Sequence, residues 1–330
     1  MTRTRLTPTI LAAAFATCGF ACSAQSPTEA IGRESSDLVI SWGWSWDLVG
    51  IGLNGRSLDG FDLANRGLVG ISLDGVQLGR RTVSATLDGS ALVGANGAAH
   101  KFGVNDFVGA VLAGSLDDGS SLDLVIDDVN RAADRAHSDV YLYSVSYETD
   151  GGRHPLCGVD STGAPIRAIA LAGRWDYRTG VAGGGSHIAD PNAFTFACQG
   201  YALAKCVDLG YEPWDSIRAC PDGRAHCPVV SLADMHQACT RAFRADYCGD
   251  GTSYTVDGMT IDVYDAYGYR IPMTGWPFEA EWTTDGARCA SRLRVPSLGT
   301  PSCWANLQDP GCGASSDFAA GALLMTQESP

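Results

Sequence analysis

Hydrophobic and polar residues alternate strictly near the start of the mature part of the chain. Large apolar side chains take every second position, with Ser, Gly or Asp between them, at Ile40, Trp42, Trp44, Trp46 and Leu48. A period of two predicts a β-strand with one aromatic face. Such a face either packs into a core or stacks on sugar rings, and we favour the core because large apolar faces are usually buried.

From Leu48 the hydrophobic period becomes five. Leucine recurs at Leu48, Leu53, Leu58, Leu63, Leu68, Leu73 and Leu78. An odd period cannot keep leucines on one face of a flat strand, so each repeat needs a corner, as in a β-solenoid with inward-facing leucines. The stretch resembles pentapeptide-repeat proteins, but Arg56, Phe61 and Arg66 stand where those proteins carry a small residue. Short irregular hairpins are therefore the alternative.

The rest of the chain is predicted to be rich in strands. β-Branched and aromatic residues bounded by Gly, Asp and Pro mark these segments. Strands are predicted over 122–126, 140–147, 166–171 and 278–282, with a hairpin over 252–264. About the last twenty residues are expected to be frayed, as chain ends often are.

Two helices are predicted in the second half of the chain. Apolar residues and cysteines share one face over 194–209, and Gly210 suits a helix stop. A second helix is predicted to begin at Ser231 as N-cap, with Asp234 as a capping-box partner, and to end near Cys248.

The N-terminus has the pattern of an export signal. Arg3 and Arg5 precede a short apolar run over 6–16, and small residues follow. The run is too short to span a bilayer, so we predict a signal peptide. Two processing routes fit: cleavage before Cys22 with lipidation of that cysteine, or cleavage after Ala24. The predicted location is the outer membrane or periplasm as a lipoprotein, or the secreted fraction.

Ten cysteines remain after such cleavage, all from residue 157 onward. They are Cys157, Cys198, Cys206, Cys220, Cys227, Cys239, Cys248, Cys289, Cys303 and Cys312. An even number in an oxidising compartment predicts a disulfide framework. The formal charge of −14 argues against a nucleic-acid or anionic-membrane surface, because phosphate binding needs clustered Lys and Arg.

Few patterns in the chain suggest chemistry. HExxH, G-x-S-x-G and GK[ST] motifs are absent from the sequence. The densest reactive group contains His236, Asp246 and Asp250, which are weak catalytic candidates, and Cys239 lies one helical turn from His236. We favour a disulfide for that cysteine. A zinc site would need paired C-x-x-C knuckles, and a calcium site of the EF-hand type would need alternating ligands; the sequence has neither pattern. We therefore predict neither a metal nor another cofactor.

Several segments in order resemble one known family. They are Phe194-Thr-Phe-Ala-Cys198, Ala204-Lys-Cys206, Gly210-Tyr-Glu-Pro-Trp214, His236-Gln-Ala-Cys239, Ala245-Asp246-Tyr247-Cys248 with Gly249-Asp250-Gly251, and Ile261-Asp-Val-Tyr-Asp265. Together they are similar to the ADYC domain, over about residues 116–295. The resemblance implies an exported protein of the kind found in myxobacteria and related groups. It implies no activity.

The cysteine positions predict particular pairs. Cysteines eight residues apart on one helix lie about 12 Å apart, too far to bridge each other. Antiparallel packing of the two predicted helices would therefore pair Cys198 with Cys248 and Cys206 with Cys239. The remaining pairs are then predicted to be Cys220–Cys227, Cys303–Cys312 and Cys157–Cys289.

These inferences add up to an α+β protein. The predicted order is a signal peptide over 1–24, a tether over 25–37, the tryptophan strand and leucine-glycine repeat over 38–115, a disulfide-stapled domain of antiparallel sheet and two main helices over 116–300, and a tail over 301–330. For function we expect a non-catalytic structural or binding module of the cell envelope, with partners unknown apart from a lipid anchor. A hydrolase acting on an extracellular polymer is the alternative.

Overall fold

The computed structural model describes residues 58–61, 63, 67–96, 100–132, 140–218, 229–268 and 270–329. The predicted signal peptide, tether and tryptophan strand, the lipidation candidate Cys22 and the first repeats lie outside these residues. Antiparallel strands and two helices dominate the described part, as expected from the sequence. None of its helices is long and apolar enough to cross a membrane.

The first thirteen strands form an antiparallel sheet of eleven strands and one two-stranded ribbon. The strands are β1 Leu68–Ser72, β2 Val76–Leu78, β3 Arg81–Asp88, β4 Ala91–Asn96, β5 His100–Phe102, β6 Val111–Leu116, β7 Ser121–Arg131, β8 Tyr141–Thr149, β9 Gly152–Pro155, β10 Ala168–Ala172, β11 Arg174–Trp175, β12 His187–Ile188 and β13 Ala193–Cys198. The ribbon consists of β11 and β12, while β2 to β5 extend the large sheet as successive hairpins.

Six of these strands close into a barrel. Their order is β1-β13-β10-β8-β7-β6, and β6 pairs back with β1. Apolar side chains fill the inside, among them Leu112, Ile126, Tyr143 and Phe196, all 0% exposed. The barrel is therefore a packed core rather than a channel.

The described leucines of the five-residue repeat are largely buried. Leu58, Leu63, Leu68 and Leu73 are each 6% exposed or less. Leu68 lies in β1, at the point where β1 closes against Leu116 of β6. The repeat before residue 58 is outside the described residues, so the choice between a solenoid and hairpins stays a prediction there.

Two strands of the barrel are buried on both faces. In β10, Ala168 and Ala170 point into the barrel, while Ile169 and Leu171 pack outward. In β13, Phe196 points inward and Ala197 outward, following the two-residue period of a strand. The outward residues contact the first helix, which positions the second half of the chain.

The second half, here called the helical region, runs from the first helix to the last strand. Its elements are α1 Ala202–Asp208, β14 Ser216–Arg218, β15 Val229–Ser231, α2 Leu232–Arg244, β16 Ile261–Asp265, β17 Phe278–Thr283, β18 Gly286–Ala290 and β19 Leu324–Glu328. The last four strands form an antiparallel sheet in the order β16-β19-β17-β18, and α2 packs against it. The Ser231 hydroxyl accepts the Ala233 amide, which confirms the predicted N-cap.

Four sequence predictions about these elements were wrong. The predicted helix over 194–209 is β13 followed by the short α1, because a strand buried on both faces gives an apolar run that resembles a buried helix. The second helix ends at Arg244, four residues before Cys248. Of the hairpin over 252–264, only β16 is a strand. The tail expected to be frayed contains β19, which lies between β16 and β17.

Candidate functional site

The three side chains singled out from the sequence do not converge. His236 is 1% exposed, and its Nε2 lies 3.0 Å from the carbonyl oxygen of Leu203 on α1. Its ring contacts Trp175 edge-on, with centroids 6.1 Å apart. Asp246 and Asp250 lie together just beyond α2, where the Asp250 amide donates to Asp246 at 3.1 Å. His236 thus belongs to the packing between α1, α2 and the barrel, and the two aspartates belong to a separate turn.

Burial determines the protonation state of His236. Desolvation lowers the pKa of its imidazole to about 4, although the hydrogen bond to the Leu203 carbonyl acts in the opposite direction. The nearby His187 contributes to this lowering of the pKa in the same direction as burial. At pH 7 the ring is neutral and donates Nε2–H to the carbonyl. A fully enclosed, neutral histidine with this one polar contact is a core residue.

Asp246 is the centre of a buried ion-pair cluster. The Nη1 of Arg241 donates to its Oδ2, and Nη1 of Arg244 lies 3.9 Å from the same oxygen. The backbone amides of Asp250 and Gly251 also donate to this carboxylate, at 3.1 and 3.0 Å. Burial raises the pKa of Asp246, an effect that the two arginines oppose. All the contacts satisfy a charge that would otherwise be costly to bury.

The other donors of Arg241 join separate loops. Its guanidinium donates to the Gly184 carbonyl, to Ser186 Oγ at 2.7 Å and to the Thr284 carbonyl at 3.1 Å. Each of these acceptors lies in a loop beside the end of α2. Arg241 therefore anchors the loop between β11 and β12 to the helical region.

Tyr247 belongs to a second buried cluster. Its hydroxyl donates to Glu279 Oε1 at 2.8 Å and accepts the Arg294 amide at 2.9 Å. Its ring stacks on Trp282, with centroids 5.4 Å apart. Arg294 pairs with Glu279 at 2.8 Å and also donates to carbonyl oxygens in the last turn of α2. Burial and Glu279 raise the pKa of Tyr247, so the phenol stays protonated.

All four residues of the segment Ala245–Cys248 thus have structural roles. Ala245 ends α2 in the left-handed conformation at φ 50°, which turns the chain sharply. Asp246 and Tyr247 then enter the two buried clusters, and Cys248 forms a disulfide with Cys303. The segment closes the helix end: three of its side chains are buried, and the partly exposed Cys248 is held in its disulfide.

The described cysteines are joined in four disulfides. The pairs are Cys157–Cys198, Cys206–Cys239, Cys248–Cys303 and Cys289–Cys312. The predicted Cys206–Cys239 bridge between α1 and α2 is confirmed. The predictions Cys198–Cys248, Cys303–Cys312 and Cys157–Cys289 were wrong, because Cys198 is on a barrel strand instead of the helix assumed for it. Cys220 and Cys227 lie outside the described residues.

One group of side chains has the spacing of a metal site. Ligand atoms of Glu281, Cys289 and Cys312 lie within 4.8 Å of one another. The two cysteines are bonded to each other, however, so neither offers a thiolate. Glu281 accepts the Gly313 amide at 2.7 Å and pairs with Arg288 at 2.6 Å. The oxidised protein holds no metal with this set.

A surface cleft lies where the β11–β12 ribbon crosses the barrel. It has a volume of about 320 Å³. Four charged residues line it, and they are Asp117, Arg174, Asp176 and Arg178. Four apolar or aromatic residues complete the lining, and they are Val69, Trp175, Tyr177 and Ile188. This volume is at the lower end of the range of small-ligand sites.

The cleft residues were missed in the sequence because they come from four separate segments. Val69 is in β1, Asp117 follows β6, and Ile188 is in β12, so only the barrel brings them together. The run Arg174-Trp-Asp-Tyr-Arg178 carried a local signal, since it alternates charged and aromatic residues. Those residue types in succession are uncommon in a core and mark a surface that can bind polar molecules.

Comparison with known proteins gives one match. The family model of the ADYC domain matches residues 104–296, more than half of the chain. No curated protein and no solved structure matches this chain. The matched residues include the barrel strands from β6 onward, both helices and the two buried clusters.

Proposed function

The chain belongs to the ADYC domain family, and we propose that it is a non-catalytic binding module that works outside the cytoplasm. The observation that carries the proposal is the burial of its reactive side chains. His236 and Asp246 are 1% and 0% exposed, and each is committed to internal partners. A general acid or base must instead reach the proton that it transfers.

The disulfides support the compartment in this proposal. Eight described cysteines form four disulfides, which persist in oxidising surroundings and are rare in the cytosol. An export signal at the N-terminus, predicted from Arg3, Arg5 and the apolar run after them, agrees with such a location. A lipid on Cys22 would tether the module to a membrane, and cleavage after Ala24 would release it.

Asp250 is the one candidate that is not fully enclosed, so it offers the sharpest test against a hydrolase. Its Oδ1 accepts the Thr252 amide at 2.9 Å, a turn that asparagine also makes. Asp250→Asn therefore keeps the fold and removes the acid. The purified full chain and this variant are incubated with peptidoglycan sacculi and with neutral polysaccharides. Released reducing ends and protein retained on the pelleted polymer are both measured.

We expect no release of reducing ends above the rate in buffer by either protein, together with retention on at least one polymer by both. Release by the native chain that Asp250→Asn abolishes would establish the hydrolase instead. Failure of both proteins to be retained on any polymer would contradict binding of such polymers.

A further inference from the structure

The cleft beside the β11–β12 ribbon has the features of a ligand site, and this inference rests on the proposed binding function. Arg174 is held in place from two sides. Its Nε donates to Asp190 at 2.9 Å, and its aliphatic stem lies so close to Gly70 that an added Cβ there would be 2.5 Å from Arg174 Cδ. The two terminal nitrogens of Arg174 make no hydrogen bond within the described residues. Its guanidinium is thus oriented and has donors to spare.

Asp117 supplies the complementary group. Its side chain is exposed, and its carboxylate forms no ion pair with a described residue, although its amide is held by the Gly67 carbonyl at 2.9 Å. Asp176 and Arg178 form a bidentate pair at the rim of the cleft, at 2.5 and 2.9 Å. This pairing lowers the pKa of Asp176 and keeps it ionised. The cleft therefore presents hydrogen-bond acceptors and donors side by side.

The charged side chains that line the cleft are two aspartates and two arginines, and Asp190 pairs with Arg174 just outside the lining. No net positive charge is left to favour an anion. A neutral ligand that both donates and accepts hydrogen bonds fits this set best, because hydroxyl groups can donate to a carboxylate and accept from a guanidinium. Side chains from separate segments line the cleft, whereas binding of an extended peptide relies on an open strand edge.

The remaining lining suits the C–H faces of a ring. Val69 and Ile188 are apolar, and the partly exposed Tyr177 adds aromatic surface. Trp175 is 3% exposed, and its indole N–H has no acceptor among the described residues. A buried donor without a partner is uncommon in native proteins and calls for an explanation. The indole nitrogen has less than 1 Å² of accessible surface, so a ligand in the cleft would reach it only with a shift of the side chain, and its signal reports such a shift.

We propose that this cleft binds a neutral saccharide, with its hydroxyl groups between Asp117 and Arg174 and its ring against the apolar and aromatic lining. Arg174→Ala removes the oriented donors, and Asp117→Asn removes the anionic acceptor. Matched controls lie elsewhere on the barrel. Arg167→Ala removes an arginine of similar exposure, 33% against 37%, which is also paired with one aspartate, and Asp123→Asn removes an exposed carboxylate.

The test is titration of the ¹⁵N-labelled full chain with neutral disaccharides, namely cellobiose, maltose and N,N′-diacetylchitobiose. Digalacturonic acid and glucosamine are the charged comparisons. The reporter is the indole N–H signal of Trp175, assigned by its loss in Trp175→Phe. We expect at least one neutral disaccharide to shift this signal with a dissociation constant of about 1 mM or lower. Arg174→Ala and Asp117→Asn should weaken binding at least tenfold, and the two controls should leave it unchanged.

Three results would overturn the proposal. They are the absence of any shift with all three neutral disaccharides, unchanged binding by Arg174→Ala and Asp117→Asn, and tighter binding of a charged probe than of every neutral one. None of these concerns the release of reducing ends. Failure of the saccharide site and failure of the non-catalytic function are therefore seen in different measurements.

Discussion

The barrel and the helical region differ in what they bury. None of the six barrel strands buries an Asp, Glu, Lys or Arg in the part of the chain described by the structure. Among its described residues, the helical region buries eight such side chains: Arg241, Arg244, Asp246, Asp262, Asp265, Glu279, Glu281 and Arg294. Three of the four described disulfides also lie wholly within it. A closed antiparallel sheet satisfies its own backbone and needs only apolar filling, whereas two short helices on a small sheet use ion pairs and cross-links.

This difference predicts how single substitutions lower the free energy of unfolding in each region. In the barrel, the cost of a core truncation reflects lost apolar contact. In the helical region, removal of one partner of an ion pair leaves an unpaired buried charge, which costs about 3–5 kcal/mol in the free energy of unfolding although little apolar contact is lost. The following experiments test the contrast in order of decreasing expected effect.

Arg294→Met should have the largest effect, because it leaves Glu279 buried with no cationic partner. We expect a loss of about 3–5 kcal/mol in the free energy of unfolding. Urea denaturation gives the loss, and hydrogen exchange shows which strands open. Exchange should increase in α2 and β17 and remain slow in the barrel. The surface variant Arg167→Ala serves as control and should change the stability by less than about 1 kcal/mol. A loss that spreads equally over the barrel strands would contradict the contrast.

Removal of the Cys206–Cys239 disulfide as the double alanine variant should cost about 3–4 kcal/mol, as expected for closure of a loop of 33 residues. The matched variant removes Cys157–Cys198, which closes 41 residues and ties the barrel. The chain-entropy cost is nearly equal in the two, so the location of faster hydrogen exchange is the informative readout. We expect it to rise in α1 and α2 for the first variant and at the β13 end of the barrel for the second. The same pattern in both would mean that the two regions unfold as one unit.

His236 allows a test at the boundary between the two regions, because its buried ring packs there. Its pKa of about 4 in the folded protein is below the ordinary value of 6.5, so the unfolded chain binds the proton first as the pH falls. Stability is therefore complete above pH 6.5 and is lost towards pH 4, by roughly 2–3 kcal/mol from this residue. His236→Asn should flatten that part of the pH profile measured by urea denaturation, and the exposed His154→Asn should leave it unchanged. An identical profile in all three proteins would refute the assignment.

Glu328→Gln should have the smallest effect, and it should raise the stability at high pH instead of lowering it. Burial, followed by the proximity of Glu279, raises the pKa of Glu328 to about 7. The folded state thus keeps a proton that the unfolded chain loses near pH 4.5, and stability falls as the pH rises through this window. We expect the variant to be more stable than the native chain by about 1 kcal/mol at pH 8 and no more stable at pH 4. Thermal unfolding at both values measures this difference, and equal melting shifts at the two pH values would contradict it.

The sequence predicted the elements whose signals are local. The N-cap Ser231 and the helical period behind it located α2, and segments rich in β-branched or aromatic residues located β7, β8, β10 and β17. It failed where burial is decided by distant partners. The apolar run of β13 is compatible with a helix until its place between β1 and β10 is known. That one error also misassigned the partner of Cys198.

The candidate site was less predictable than the fold. Clustering of reactive residue types pointed to His236, Asp246 and Asp250, but proximity in sequence does not reveal which side chains face inward. The aspartate of the turn after α2 meets Arg241 and Arg244 from the preceding helix, and these cations were overlooked because arginines are usually exposed. The cleft depends on Asp117 and Arg174, which are 57 positions apart and meet only through closure of the barrel.

The central position of β19 has a consequence for the order in which a growing chain acquires its structure. All six barrel strands have been made once Cys198 has left the ribosome, so the barrel can close early. The sheet of the helical region cannot be completed until Leu324–Glu328 has been synthesised, because β19 separates β16 from β17. For about 80 residues of synthesis after Arg244, α2 and its Cys239 lack their final packing partner. Chaperones and disulfide isomerases would therefore find their main substrate in this late-maturing half.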